Sequence, residues 1–430
     1  MRPADPSAPW ASGAFGLRLF LTIASGYFMS YGLRSINATI APELVEELRL
    51  GNGELGMLTS AYLLAFAILQ LPLGVWLDRY GPRRMDALLM AVAAAGCAVF
   101  ASASGLAGLW VGRALLGVGF AAGLMAPYAL YRAWFAPAQQ TRLAAWTLMI
   151  GSAGVLGATL PVRAALTVTD WRGVFWFCAA LLLTISATMW FGIPRAREPN
   201  GRSGQSFLAS LGGYGEVGRS PFFWRMALLA VSLQGSFIAL QTLWIGPWFG
   251  RVLGLTPAQS AAGLFAFNTA LMIAFLLVGA VAPRLGHTER SAVRLAGGAA
   301  GVNVLPLVLI AAAPAFAGVW AWLLFAATSA VFTPVQARVG MSFPARLAGR
   351  ALTAFNLIIF VAAFVLQTGL GLLLDVALGA GLDTISAFRL AVAAVVLLQA
   401  LSWLAFVLWP WSGPDGRPAR REDVSANART

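Results

Sequence analysis

Apolar runs of roughly twenty residues, separated by short arginine-bearing breaks, constrain this chain more than any other feature. They occur at 15–40, 55–77, 85–105, 107–132, 143–165 and 173–193, and again at 223–249, 257–282, 292–312, 316–338, 349–376 and 386–410. A run of that length crosses the hydrocarbon core of a bilayer as a helix. Inside lipid every backbone N–H and C=O must pair internally, which leaves helices or closed barrels. Barrel strands alternate apolar and polar residues; these runs do not, so helices are predicted. Charged residues make up only 10% of the chain, against about 25% in a soluble domain. A soluble chain of 430 residues has too much surface to hide the remainder. The predicted fold is therefore all-α and integral to the membrane, with twelve transmembrane helices in two pseudo-symmetric six-helix bundles. The longest polar stretch between runs carries Pro194, Arg195, Arg197, Pro199, Arg202 and Arg219. It divides the chain into an N-terminal bundle (1–194), a cytoplasmic interdomain loop (195–222), a C-terminal bundle (223–412) and a cytoplasmic tail (413–430). The first run has no small-residue cleavage site after a short apolar stretch, so it reads as a retained helix.

The net charge of +13 is carried by arginine, lysine being absent. Such a basic soluble protein would point to nucleic acid. Here the arginines sit in short loops between apolar runs, so no nucleic-acid partner is expected. Basic residues accumulate on the cytoplasmic side of a membrane protein. With both termini inside, 22 of the 29 arginines are cytoplasmic, while Arg49, Arg163, Arg172, Arg251 and Arg389 lie outside. Glu43, Glu46, Glu47 and Glu54 cluster in the first external loop. This predicts a multi-pass protein of the cytoplasmic (inner) membrane. Cys97 and Cys178 fall inside predicted helices and imply no disulfide. An enzyme usually gathers His, Asp or Cys near a cleft, and no such cluster exists. Glycine loops that cradle phosphate are also absent. No enzymatic activity, metal or cofactor is expected; the partners are lipid and a small molecule, and a monomer is anticipated.

The halves echo each other. Gly74 to Gly81 closes the second run with Asp78 and Arg79 between; Gly279 to Gly286 closes the eighth at the same spacing, with Pro283 and Arg284 at the matching offsets. Internal repeats are how many transporters build a central site between two moving halves. The stretch GVWLDRYGPRR (74–84) closely resembles the signature loop between helices two and three of the major facilitator superfamily. Gly112-Arg113-Ala-Leu-Leu-Gly117-Val-Gly119 looks like that superfamily's second motif. The resemblance covers essentially the whole chain and implies a secondary transporter working by alternating access. It further implies gating roles for Asp78, Arg79 and Arg83, with Gly74 and Gly81 framing the loop. In helix five, Gly151, Gly154, Gly157 and Pro161 match the drug antiporters' proline–glycine motif only in part, and packing is the simpler reading of these glycines.

Arg34 is the charge out of place. It lies inside the first run, and a guanidinium there costs roughly 3 kcal/mol on insertion scales. Tyr27, Tyr31, Arg34 and Asn37 recur at helical spacing and share one face. The 16 acids fall in loops, tails or helix ends, with Asp78 and Asp375 nearest to membrane depth, and His287 lies in a cytoplasmic loop. A bound anion would satisfy Arg34 through two parallel hydrogen bonds; backbone carbonyls or snorkelling are the plain alternatives. In the superfamily, helices one, four, seven and ten line the central cavity, so the resemblance places this stripe in the pathway. RSINATIAPEL (34–44) looks like the first-helix pattern of the superfamily's organic-anion transporters, including those for sugar acids and glutamate. Helix four departs from it: Phe120 lies near where those symporters often carry a glutamate. With no acid in the middle of any helix, exchange, facilitated flux or a substrate-borne proton is expected.

Arg113 lies at a depth similar to Arg34 and either joins it at the substrate or acts structurally. Helix seven offers Gln234, Phe237, Gln241, Trp244 and Trp248, with Pro247 expected to break its outer end. Helix eight offers Asn268, helix ten Gln336 and helix eleven Gln367. Buried amides need partners, so each is interhelical glue or a substrate ligand. The candidate substrate site is Arg34, Tyr31, Asn37, Arg113, Gln241 and Trp244. The best reading is transport of a small organic anion. Export of drugs or metabolites, and nitrate- or nitrite-like exchange, are the alternatives, although the glycine-rich signatures of the nitrate exchangers are not evident.

Overall fold

A computed structural model describes residues 11, 13–194, 207–285, 289–332, 339 and 342–408. Nearly every described residue is helical. The first half contains α1 (Gly13–Ser35), α2 (Asn37–Leu48), α3 (Asn52–Tyr80), α4 (Pro82–Ser102), α5 (Leu106–Gly119), α6 (Met125–Trp134), α7 (Pro137–Gly157), α8 (Leu160–Ala165) and α9 (Trp171–Ala187). The second contains α10 (Phe207–Gly218), α11 (Pro221–Ala230), α12 (Ser236–Ala239), α13 (Ile245–Arg251), α14 (Pro257–Leu285), α15 (Glu289–Ala312), α16 (Pro314–Ala317), α17 (Trp320–Ser329), α18 (Ala345–Gly379) and α19 (Thr384–Leu408). By length and composition, eight described helices can cross a membrane.

Several predicted runs are not single helices. The first turns at Ile36 and continues through Pro42 to Leu48, so Glu43, Glu46 and Glu47, expected in a loop, ride on α2. There Glu43 pairs with Arg163 and Glu47 with Arg172. The fourth run breaks between α5 and α6, and the seventh contains two π-helical turns, Val231–Gly235 and Leu240–Trp244. Pro247 does not end the helix as expected. It sits inside α13, and the π-helical turn just before it accommodates the proline.

Within the first half, α4 packs on α5 and α9, and α1 on α7; in the second, α15 packs on α17 and α19. The most extensive contact, α3 along α18, joins the halves. Large apolar side chains such as Phe177, Phe191, Leu305, Val376 and Leu408 point outward. A patch of that extent on a soluble surface would aggregate; against lipid it is the solvated face. Lipid tails are as apolar as leucine, so close packing and hydrogen bonds must hold the helices together. Gly154 illustrates the first: a Cβ there would lie 2.1 Å from the Phe28 carbonyl oxygen, so the glycine lets α7 touch the α1 backbone.

Candidate functional site

The break after Ser35 leaves Arg34 at the end of α1. Its guanidinium carbon lies 4.0 Å from the centre of the Tyr31 ring, a cation–π contact. Tyr27 packs on Tyr31 with ring centres 4.7 Å apart, and Tyr62 on α3 is within electrostatic reach. The side chains that act on Arg34 are therefore tyrosines. Its Nε is buried with no hydrogen-bond partner in the protein. The two close ion pairs among the described residues, on α2, do not involve it.

Arg113 is fully buried, and one Nη donates to the Leu33 carbonyl at 2.7 Å while the other donates to the Arg34 carbonyl at 3.3 Å. It thus holds the backbone that carries Arg34, at the point where the α1 hydrogen-bond ladder ends. Its guanidinium carbon lies 5.6 Å from the centre of the Tyr62 ring.

One turn beyond Arg34, Asn37 is fully buried. Its Nδ2 donates to Thr59 Oγ1 at 2.9 Å, and its Oδ1 has no partner. The α2 segment packs on the π-helical turn Leu240–Trp244, which brings Gln241 and Trp244 beside it. Gln241 donates to Asn268 Oδ1 at 2.8 Å. Trp244 Nε1 donates to the Gln367 carbonyl at 3.1 Å. Both side chains are buried and tie helices together, so the structure groups Tyr31 with Arg34, supports them from Arg113, and puts Gln241 and Trp244 in an adjoining seam between halves.

In the signature loop, Gly81 (φ +82°) turns the chain between α3 and α4, a conformation that side chains disfavour. Arg83 is buried and donates to the carbonyls of Trp190 at 2.6 Å and Ile193 at 3.0 Å. It thereby satisfies the carbonyl end of the helix that follows α9. Arg79 is exposed, its guanidinium 5.4 Å from the centre of the Tyr80 ring. The side-chain positions of Gly74 and Asp78 lie outside the described residues, as do His287, Gln336 and those of the repeated motif at 279 and 283–286.

Two arrangements were not anticipated. Asp86, near the start of α4, is buried with neither carboxylate oxygen paired. It lies near a helix end, where the acids were expected, and is buried there. Asp375 on α18 caps the start of α3. It accepts from the Asn52 backbone N–H at 3.1 Å, from Asn52 Nδ2 at 2.9 Å and from the Gly53 N–H at 2.7 Å. Arg251 completes the knot by donating to Asn52 Oδ1 at 2.6 Å. Asp375 and Asn52 are 323 residues apart, so no local pattern announced them.

The family model of the Major Facilitator Superfamily matches residues 23–367. Over 270 residues the chain is 28% identical to the hexuronate transporter of Escherichia coli (strain K12), covering 57% of this chain and 60% of that protein. It is 27% identical over 248 residues to a probable nitrate/nitrite antiporter of Thermus thermophilus, with 53% of each covered. The matched part thus spans between half and three fifths of these relatives. Among solved structures it resembles a bacterial homologue of the human lysosomal transporter Spinster, crystallised inward-facing and unoccupied. The TM-score is 0.74 at 14% identity, covering 93% of this chain and 97% of that one. Helical architecture, lipid-facing surface and signature loop all belong to a membrane transporter rather than an enzyme. The chain belongs to the major facilitator superfamily.

Proposed function

We propose that this transporter moves a small organic anion across the cytoplasmic membrane by alternating access, with Arg34 as the group that holds the anion's charge. The observation that carries this reading is Arg34 itself: a guanidinium inside the helical bundle, set among tyrosines, with no described acid paired to it. An intramembrane arginine is costly and normally finds a partner. A carboxylate matches its fork through two parallel bonds. Tyr31 braces the guanidinium and Arg113 positions the backbone beneath it. The hexuronate relative is an acid-sugar transporter by name, which supports the same substrate class. The reading includes twelve transmembrane helices in two six-helix bundles, both termini cytoplasmic, and the 74–83 loop as the cytoplasmic gate.

Uptake of a labelled hexuronate into proteoliposomes tests it. The wild type is expected to show saturable uptake, and Arg34→Gln to abolish it. Unchanged uptake and affinity in the variant would overturn the assignment. Inorganic anion exchange is the second reading, favoured by the nitrate/nitrite relative. It predicts that nitrate competes with the hexuronate at comparable concentrations.

A further inference from the structure

We propose that Gln367 on α18 and Asn37 on α2 form the hydroxyl-reading end of the substrate site, so that the anion carried is a polyhydroxylated acid. This rests on the assignment of Arg34 to the anion's charge and adds its specificity.

Gln367 is fully buried, and both its Nε2 and its Oε1 lack a hydrogen-bond partner in the protein. Asn37, equally buried, leaves its Oδ1 unpartnered. An unpaired buried polar group costs roughly 1–3 kcal/mol, and each such group in a folded protein calls for an explanation.

The surroundings hold Gln367 firmly. Its backbone carbonyl accepts from Trp244 Nε1. A Cβ on Gly56 would lie 2.7 Å from that same carbonyl oxygen, so α3 approaches closely. The next residue, Thr368, shares a 2.8 Å hydrogen bond with Ser60. Asn37 is tied to the neighbouring position on the same helix, Thr59. The backbone of Gln367 and the side chain of Asn37 therefore meet one turn of α3 from opposite halves of the molecule.

Chemistry then selects the ligand. The unpartnered atoms are two carbonyl oxygens, which accept, and one amide NH₂, which donates. A carboxylate or nitrate offers acceptors only and cannot satisfy the oxygens. A hydroxyl both donates and accepts, so a group of hydroxyls can serve all three. Asn37 lies three residues past Arg34, just beyond the turn at Ile36, so the two side chains are carried by adjoining ends of α1 and α2. One molecule can thus place its charge on Arg34 and its hydroxyls at the amides.

The test compares galacturonate with cyclohexanecarboxylate, a ring carboxylate that lacks the hydroxyls, by direct binding to the purified full-length protein. The wild type is expected to prefer galacturonate by at least about tenfold, one decade being 1.4 kcal/mol. Gln367→Leu, and the nearly isosteric Gln367→Met should the first fold poorly, are expected to weaken galacturonate about tenfold or more while cyclohexanecarboxylate changes less than about twofold. Asn37→Ala is expected to act in the same direction. Equal loss of both acids, or no loss of either, overturns the proposal. Arg34→Gln separates the anion site from its hydroxyl-reading end. If it abolishes both acids while the Gln367 variants discriminate nothing, the anion site stands and its hydroxyl-reading end does not. If neither acid binds in an Arg34-dependent way, both fail.

Discussion

Arg34 and Arg113 are the same residue type in the first half of the chain, close enough that one touches the other's backbone, yet they are used in opposite ways. Arg113 is fully buried and donates to the Leu33 and Arg34 carbonyls. Arg34 rests on the Tyr31 ring and donates to no described backbone carbonyl, although the Nε of each arginine is buried without a partner. A buried cation that has found carbonyls is part of the scaffold. A neighbouring cation held by a tyrosine rather than by carbonyls keeps a buried donor, Nε, for something else. The difference between them is in their surroundings, since an insertion cost reckoned from residue type treats the two alike.

The sharpest way to break that comparison is to remove each arginine and ask what is lost. Arg34→Gln is expected to reduce anion affinity at least about 100-fold, the scale of a lost charged hydrogen-bonding partner. The melting temperature in detergent should move little, because Arg34 supports no described backbone group. Arg113→Met is expected to do the reverse. Thermal or denaturant unfolding should show a loss of roughly 2–4 kcal/mol, since two carbonyls lose a charged donor, with some anion binding remaining in the folded fraction. If Arg113→Met binds no anion while keeping its stability, the division of labour is wrong.

Asp375 sharpens the comparison from the other sign of charge. Its carboxylate is committed to Asn52 and Gly53 across the halves, as Arg113 is committed within one. Asp375→Ala is expected to weaken that seam by about 1–3 kcal/mol. Engineered cysteines at its two sides should then cross-link more slowly than in the wild type. An unchanged cross-linking rate would show that the close α3–α18 packing holds this end without the cap. The smallest effect is expected at the brace: Tyr31→Leu should weaken anion binding several-fold, from a cation–π contribution of roughly 0.5–1 kcal/mol. Tyr31→Phe, which keeps a ring, should lose less in the same binding titration.

The sequence by itself determined the solvent, the element type and the family. Long apolar runs need lipid, lipid forces backbone pairing within each element, and GVWLDRYGPRR names the superfamily, whose model matches residues 23–367. It also singled out Arg34, because a charge inside an apolar run is expensive wherever the helix packs. What each polar side chain touches was settled only by the tertiary structure. Arg113 meets carbonyls of α1, Gln241 meets Asn268, and Asp375 caps a helix 323 residues away. Asp86 lies near a helix end and is nonetheless buried. The helix breaks at Ile36 and at 120–124 fall inside apolar runs, where hydropathy alone shows one continuous span. Hydropathy depends on each residue's own transfer cost and is readable along the chain. Partnership depends on which distant helices meet, and that exists only after the chain has folded.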